Sequence, residues 1–289
     1  MKLLRYGAAG YEKPGILDSD GRIRDLSNYI ADITPACIET VAHLDTRLLP
    51  LVGDSPRLGV PVAHVGKIVA IGLNYSDHAE ETNQQIPTEP IVYLKAISSL
   101  SGPSDPVMLP KNARKADWEA ELGIVIGSKA SYVDEATALD YVAGYCVVND
   151  VSEREYQFER GGTWDKGKGF DTFAPVGPWL VTPDDVGDPQ ALDIWLDVNG
   201  ERMQSGNTSA MIFTCAQIIS YVSSVMSLHP GDIIITGTPP GAGIGQKPHA
   251  VFLKPGDVMS LGVSGLGEQR QEVVAWQPAA LRVPVSLSS

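Results

Sequence analysis

The sequence is poor in cysteine: its 289 residues include only Cys37, Cys146 and Cys215, and no two of them form a CxxC pair. This scarcity argues against a disulfide framework and against a zinc site built from thiolates, and it favours a reducing, cytoplasmic environment. A chain of this length suggests one large domain with a smaller companion, so it can bury enough apolar surface to fold without cross-links.

Basic residues are also scarce, with 22 Lys and Arg against 35 Asp and Glu, for a net charge of −13. An acidic surface repels phosphate backbones and anionic lipids, which disfavours a nucleic-acid or membrane partner. The sequence has no apolar stretch of signal-peptide length at its N-terminus, and its longest uncharged span, residues 203–231, is rich in Ser, Thr, Gln and Asn. A membrane helix needs about 20 mainly apolar residues. We therefore expect a small-molecule partner.

The first 65 residues are expected to form a small, β-rich N-terminal domain. Residues 15–17 and 22–24 flank the turn-rich cluster Asp18-Ser19-Asp20-Gly21, which predicts a β-hairpin. Residues 51–66 are punctuated by proline and glycine and read as a linker. We place the domain boundary near residue 65, with the larger domain at 66–289.

The larger domain is predicted to be mostly β, within an α+β fold class. β-Branched and aromatic residues are concentrated in short runs at residues 67–71, 91–94, 119–126, 142–148, 194–198, 233–236 and 258–263. The clearest helix is residues 214–227, where Thr214 and Gln217 predict a capping box. A shorter helix is predicted to start at Ser152, with Glu155 three residues on.

Three carboxylates suggest a metal site. Glu119 and Glu121 alternate along a predicted strand, so both side chains point to the same face. Asp150 follows the apolar run 145–148, where another strand is predicted to end. A set of three carboxylates without Cys or His suits a hard cation such as Mg²⁺ or Mn²⁺. The alternative is a solvated edge-strand face, because sequence spacing alone does not bring Asp150 to Glu121.

One histidine has a carboxylate at helical spacing. His78 and Glu81 form an i, i+3 pair if residues 74–81 make a helical turn. A carboxylate bonded to one imidazole nitrogen fixes the tautomer and leaves the other nitrogen free to accept a proton from water. The pair is therefore a candidate general base, and the alternative is an exposed, charged helix start.

Taken together, these motifs resemble the fumarylacetoacetate hydrolase family in order and spacing across residues 67–275. The matching segments are Gly72-Leu73-Asn74-Tyr75, His78-Ala79-Glu80-Glu81, Tyr93-Leu94-Lys95, Glu119-Ala120-Glu121-Leu122-Gly123, Asn149-Asp150 with Arg154, Lys168-Gly169-Phe170, Asn199-Gly200 and Thr236-Gly237-Thr238-Pro239-Pro240-Gly241. The resemblance implies a mixed β-sheet roll and a homodimer. It also departs at one place, since Ala96 stands where relatives commonly have proline.

The resemblance implies roles for individual residues. It implies Mg²⁺ or Mn²⁺ bound by Glu119, Glu121 and Asp150. Catalytic roles fall on His78, Glu81 and Lys168. Substrate contacts fall on Arg154, Gln157, Thr238 and Lys95.

The N-terminal unit, beginning with Met1-Lys2-Leu3-Leu4-Arg5-Tyr6-Gly7, resembles the bacterial members that hydrolyse 2,4-diketo-3-deoxy sugar acids. This implies cleavage of an L-rhamnonate or L-fuconate derivative to pyruvate and lactate. Acylpyruvate hydrolysis, oxaloacetate decarboxylation and ureidoglycolate cleavage remain alternatives on the same site. From other classes, a metal-dependent nuclease is disfavoured by the acidic charge, and a metal-dependent small-molecule binding protein by the combination of a base with a metal site.

Overall fold

Three β-sheets make up most of the fold. The computed structural model describes residues 1–53 and 55–278. Within these residues the strands are β1 Lys2–Tyr6, β2 Lys13–Leu17, β3 Ile23–Asp25, β4 Ile68–Gly72, β5 Ile91–Lys95, β6 Leu100–Ser101, β7 Val107–Met108, β8 Ala116–Asp117, β9 Ala120–Ile126, β10 Val142–Asn149, β11 Ser152–Glu153, β12 Ala174–Val181, β13 Asp193–Val198, β14 Glu201–Asn207, β15 Ile233–Ile235, β16 Val258–Val263 and β17 Gly267–Val274.

The largest sheet runs in the order β3-β2-β1-β12-β10-β9-β15-β4-β5, with β6 paired to β12. It includes the predicted hairpin, because β2 and β3 pair antiparallel with Leu17 opposite Ile23. Strand β1 pairs with β12, with Leu3 opposite Leu180, so the N-terminal unit extends the sheet of the larger unit. The boundary near residue 65 stays a prediction.

The second sheet has five strands in the order β14-β13-β16-β17-β7, and β8 pairs with β11 in a third. The main core lies between the two larger sheets. Strand β9 is buried along its whole length. Ile124 packs in this core, whereas its neighbour Val125 packs in a second core beneath the N-terminal unit. A strand covered on both faces reads as a continuous apolar run, which explains the composition of residues 122–126.

The helices are short and lie around the sheets. They are α1 Ile38–Val41, α2 Ser76–Glu81, α3 Asp165–Lys168, α4 Pro183–Val186 and α5 Cys215–Val225, with 3₁₀ turns at Pro35–Cys37, Thr46–Leu48, Ile97–Ser99, Glu135–Tyr141, Thr208–Ala210 and Gly243–Gly245 and a π-helical turn at Glu155–Glu159. Helix α5 begins at the predicted capping box of Thr214 and Gln217. The described residues contain no helix that is both long and apolar enough to cross a membrane.

The helix predicted to start at Ser152 is wrong. Ser152 belongs to β11, and the helical turn begins at Glu155. The N-cap residue is Arg154, and the carboxylate of Glu153 just before it accepts the backbone N–H of Tyr156 in the turn (3.0 Å) and that of Lys115 (2.7 Å). The predicted mainly β, α+β fold class is confirmed by the sheets as a whole.

Candidate active site

A cavity of about 380 Å³ opens at the end of β4 and the start of β9, beside the segment that follows β15. Most of the site residues proposed from the sequence lie on its wall. They are His78, Glu81, Glu119, Glu121, Arg154, Gln157, Lys168 and Thr238. Three aromatic rings add an apolar face to the same wall, those of Tyr93, Phe158 and Trp164. The cavity therefore combines charged, hydrogen-bonding and apolar surfaces.

The pairing of β9 with β10 brings the three predicted metal ligands together. Antiparallel register places Val148 opposite Glu121, and the backbone N–H of Asp150 donates to the carbonyl oxygen of Glu119 at 2.8 Å. One carboxylate oxygen from each of Glu119, Glu121 and Asp150 lies within 4.8 Å of the others, and all three residues are buried. We call these three residues the acidic triad.

The donor chemistry of the acidic triad fits a hard divalent cation. An octahedral Mg²⁺ site at about 2.1 Å per ligand spaces neighbouring oxygens by about 3 Å and opposite ones by about 4 Å. One oxygen from each of the three carboxylates lies within 4.8 Å of the others, which is close to that range. The remaining positions would be filled by water or by substrate oxygens.

Cationic side chains surround the acidic triad. The Lys168 ammonium donates to Glu119 at 2.5 Å and to Asp150 at 2.7 Å. Arg154 donates to the other oxygen of Glu119 at 2.6 Å. Lys95 donates to Asp150 at 2.5 Å from the side away from the cavity, and the Tyr93 hydroxyl donates to the same carboxylate at 2.6 Å. Buried charges require such partners.

The carboxylates of the acidic triad differ in pKa because their partners differ. Burial would raise the pKa of Asp150, but Lys168 and Lys95 outweigh it and hold that pKa at about 2. Burial is likewise outweighed at Glu119, where Arg154 and Lys168 lower the pKa below its ordinary value. At Glu121 burial and the neighbouring charges of Asp150 and Glu119 act together, so its pKa lies well above the ordinary value. Glu121 is thus the member whose charge most needs a cation.

His78 and Glu81 lie on helix α2 and form the predicted pair. The Nδ1 atom of His78 is 3.0 Å from Glu81 Oε2. Burial favours a raised pKa at Glu81, but the hydrogen bonds from His78 and from the Gly241 N–H lower its pKa below the ordinary value. An ionised Glu81 accepts the Nδ1 proton of His78, which leaves Nε2 as the proton acceptor. We call this pair the dyad.

The segment after β15, residues 237–247, contributes backbone donors to the site. We call it the 237–247 loop. The Gly237 N–H donates to Glu121 at 2.7 Å, and the Gly241 N–H donates to Glu81 at 3.1 Å. Gly237 has φ +97°, and an added Cβ there would lie 2.7 Å from the Asn74 Cβ, so only glycine fits. The loop therefore touches the acidic triad and the dyad.

Four residues on or behind the cavity wall were expected to contact substrate. Arg154 and Gln157 lie on the wall and bond to each other at 2.9 Å. Thr238 also lines it, but its hydroxyl donates to the Ala120 carbonyl oxygen at 2.9 Å. Among the described residues, Lys95 is not one of those that line the cavity. Its ammonium contacts Asp150 and the carbonyl oxygen of Lys168 behind the triad.

Sequence reasoning missed two polar residues that hold this site. Tyr93 belongs to the matching segment Tyr93-Leu94-Lys95 but was given no role in the site. Its hydroxyl donates to Asp150, and its ring lines the cavity. Asp117 was assigned no role, yet its buried carboxylate accepts a hydrogen bond from Arg154 at 2.8 Å. The one signal for Asp117 is its place two residues before Glu119, which puts both side chains on one face of an extended chain.

With the geometry established, comparison with known proteins shows the family. A sequence profile described as "Fumarylacetoacetate (FAA) hydrolase C-terminal" matches residues 67–274. The chain belongs to the fumarylacetoacetate hydrolase family. It is similar to a protein of Sphingomonas sp. (strain SKA58) named 2,4-didehydro-3-deoxy-L-rhamnonate hydrolase, with 60% identity over 277 residues that cover 96% of this chain and 97% of the relative.

Solved structures of family members have the same fold. A fumarylacetoacetate hydrolase from Exiguobacterium antarcticum superposes with a TM-score of 0.84 at 33% identity, covering 96% of this chain and 100% of the other. A maleylpyruvate hydrolase from Sphingobium sp. SYK-6 gives a TM-score of 0.79 at 30% identity, with the same coverage. The resemblance seen in the sequence motifs is confirmed, and the protein is an enzyme of this hydrolase family.

Proposed function

We propose that this family member is a divalent-metal-dependent hydrolase that cleaves the C3–C4 bond of a 2,4-diketo-3-deoxy sugar acid derived from L-rhamnonate or L-fuconate. The products would be pyruvate and lactate. One observation carries the proposal: the dyad and the Glu119–Glu121 side of the acidic triad line the same cavity. The 60% identical relative named for the rhamnonate derivative supports the substrate class.

The reaction needs a base and a site for negative charge. A divalent ion held by the acidic triad would act as a Lewis acid for the α-oxo acid end of the substrate. His78, oriented by Glu81, takes a proton from water as the water oxygen adds to the C4 carbonyl. The C3–C4 bond then breaks, its electron pair goes to C3, and C4 becomes the carboxyl group of lactic acid, which releases its proton to solvent to give lactate. The proton on His78 is returned to C3 to give pyruvate.

The remaining wall residues bind and orient the substrate. The Lys168 ammonium lies between Glu119 and Asp150 and stabilises negative charge that develops at the α-oxo acid end. Gln157 accepts from Arg154 through its oxygen, which fixes its amide nitrogen as a donor toward the cavity. The Phe158 and Trp164 rings, 5.7 Å apart, offer an apolar surface for the terminal methyl group.

The test is pyruvate release from a panel of substrates. The panel contains 2,4-diketo-3-deoxy-L-rhamnonate, its L-fuconate epimer, a simple acylpyruvate, oxaloacetate and ureidoglycolate, with glyoxylate measured for the last. We expect the highest kcat/KM for a diketo sugar acid, loss of turnover with EDTA, and recovery with Mg²⁺ or Mn²⁺. Preference for another panel member would contradict the substrate assignment. Metal binding without turnover on any of them would favour a binding protein instead.

Assembly and location are separate proposals. We propose a homodimer in the cytoplasm, as expected for this family. Light scattering on the purified protein measures the mass of the assembly against the 30.9 kDa chain. A monomeric mass at micromolar concentration would contradict the dimer.

A further inference from the structure

A buried carboxylate lies between the two halves of the candidate active site. Asp117 is fully buried and accepts hydrogen bonds on both of its oxygens. One oxygen accepts the Gly243 N–H at 2.6 Å, and the other accepts Arg154 Nε at 2.8 Å and the Ile244 N–H at 3.0 Å. Asp117 therefore links the Arg154 side chain, which contacts the acidic triad, to the backbone of the 237–247 loop.

One side of this link contacts the acidic triad and the other contacts the dyad. Arg154 leads to the acidic triad, because its Nη2 donates to Glu119 at 2.6 Å. The 237–247 loop continues to the dyad, because its Gly241 N–H donates to Glu81. The Gly241 carbonyl oxygen is held in turn by Trp118 Nε1 at 3.1 Å. A path from Glu119 to His78 thus consists of hydrogen bonds through Arg154, Asp117 and Glu81, joined by the covalent backbone between Gly241 and Gly243.

The backbone of the loop is shaped to receive the Asp117 carboxylate. An added Cβ at Gly243 would lie 2.6 Å from Asp117 Oδ1 and 2.0 Å from the Val251 carbonyl oxygen. Glycine is therefore required for the loop to approach so closely. On the other side, β8 pairs with β11 and places Asp117 opposite Ser152, which brings Arg154 within reach.

We propose that Asp117 is a positioning residue that locks Arg154 to the 237–247 loop and thereby couples the geometry of the acidic triad to that of the dyad. Asp117 is set back from the cavity wall and acts through its neighbours. Only the kinetic test of this inference rests on the proposed function. The effect of Asp117 on the metal site is measured by metal binding, without any substrate. Residues that orient metal ligands from behind change metal affinity by about 10- to 100-fold.

The test compares Asp117→Asn with a matched control, Asp232→Asn. Asp232 is also buried, pairs with the Lys67 ammonium and accepts two backbone N–H groups, from Lys67 at 3.0 Å and His229 at 2.7 Å. It lies before β15, at the end of that strand away from the cavity. We expect Asp117→Asn to weaken Mg²⁺ affinity in calorimetry by at least about tenfold, and Asp232→Asn to leave it unchanged.

A double-mutant cycle separates positioning from general damage. Asp117→Asn and Glu81→Gln are measured singly and together for kcat and KM in pyruvate release. We expect the two losses in kcat to be non-additive, with a coupling factor of about threefold or more, because both variants disturb the orientation of His78. Asp232→Asn should show no coupling with Glu81→Gln. Additive losses, or equal effects of Asp117→Asn and Asp232→Asn on Mg²⁺ affinity, would overturn the proposal.

A second variant covers the case in which Asp117→Asn does not fold. Gly243→Ala adds a Cβ that crowds both Asp117 Oδ1 and the Val251 carbonyl oxygen and removes no polar side chain, and Gly53→Ala, with nothing within 4 Å of its Cβ, is its control. Weaker Mg²⁺ binding in Gly243→Ala alone supports the proposal, and unchanged binding overturns it. If the unmodified enzyme releases no pyruvate, the proposed function fails, while the Mg²⁺ comparison still decides the role of Asp117.

Discussion

At the scale of single residues, the site depends on side chains that hold other side chains. Glu119 is held by two cations, Asp150 by two cations and the Tyr93 hydroxyl, and Glu121 by one backbone N–H. Buried polar groups need such partners, because an unmet donor or acceptor costs about 1–3 kcal/mol. Metal affinity in this enzyme is therefore expected to depend on residues that never contact the ion.

Tyr93→Phe is the cleanest test of that expectation. The change removes the hydroxyl that donates to Asp150 at 2.6 Å and keeps the ring that packs 5.2 Å from Trp164. We expect Mg²⁺ affinity to fall about tenfold in calorimetry, as for other groups that orient a ligand. Tyr75→Phe is the matched control, because the described structure offers its buried hydroxyl no hydrogen-bond partner. Equal affinities of the two variants would remove Tyr93 from this role.

His78→Ala should separate catalysis from metal binding. Loss of a positioned base lowers turnover by about 10²- to 10⁴-fold, while the acidic triad keeps its ligands. Steady-state kinetics and calorimetry on one preparation measure both quantities. Glu119→Ala, in contrast, should weaken metal affinity itself. His229→Ala, in an exposed turn, is the control for histidine removal. Turnover of His78→Ala at the level of the parent enzyme would show that the dyad is not the base.

At the scale of elements, the sequence predicts what lies within one strand better than what lies between strands. Alternation over residues 119–121, at the start of β9, correctly put Glu119 and Glu121 on one face, since the side-chain period of an extended chain is two residues. The position of Asp150 beside them depends on antiparallel pairing of β9 with β10, which no local pattern specifies. The bonds of Tyr93 and Asp117 also join segments far apart in the chain, so they were missed.

The wrong helix start at Ser152 has the same cause. The spacing of Ser152 and Glu155 matches a capping box, but the turn begins after Arg154, and the Glu153 carboxylate accepts the Tyr156 N–H. Its carboxylate also accepts the N–H groups of Arg114 and Lys115, which directly precede β8, the strand paired with β11. Tertiary hydrogen bonds thus overrode a local signal.

The hairpin of β2 and β3 carries a pH-dependent anchor. Burial raises the pKa of Asp18, but backbone N–H groups at Arg22 and Asp20 and the Arg24 side chain outweigh it and lower that pKa to about 2. The unfolded value is about 3.9, so the stability from Asp18 is present above pH 4 and is lost as the pH falls toward 2.

We therefore expect Asp18→Asn to lower the free energy of unfolding at pH 7 and to make a smaller difference at pH 3. Urea denaturation of both proteins at the two pH values measures this. Asp45→Asn, which removes an exposed carboxylate paired with Arg47, is the control and should have little effect at either pH. A gap between Asp18→Asn and the parent enzyme that does not narrow at pH 3 would contradict the assignment.

At the scale of the whole molecule, the N-terminal unit and the larger unit share one sheet and one core. Strand β1 covers the edge of β12. Leu3 and Ile16 pack in the same apolar cluster as Val148 and Leu180. Separate domains usually bury less apolar surface against each other than within their own cores. The sequence, read as two units with a linker, gave no indication of this shared packing.

Removal of residues 1–65 should therefore leave a poorly soluble fragment. An unpaired β12 edge and an uncovered apolar face are both templates for aggregation. Expression of residues 66–289, followed by size-exclusion chromatography, measures the outcome. If the fragment is insoluble because its β12 edge and apolar face are uncovered, co-expression of residues 1–65 should restore a soluble complex. A monodisperse fragment 66–289 with full Mg²⁺ affinity would instead show an autonomous larger domain, and the shared sheet would then be a docking contact rather than a condition for folding.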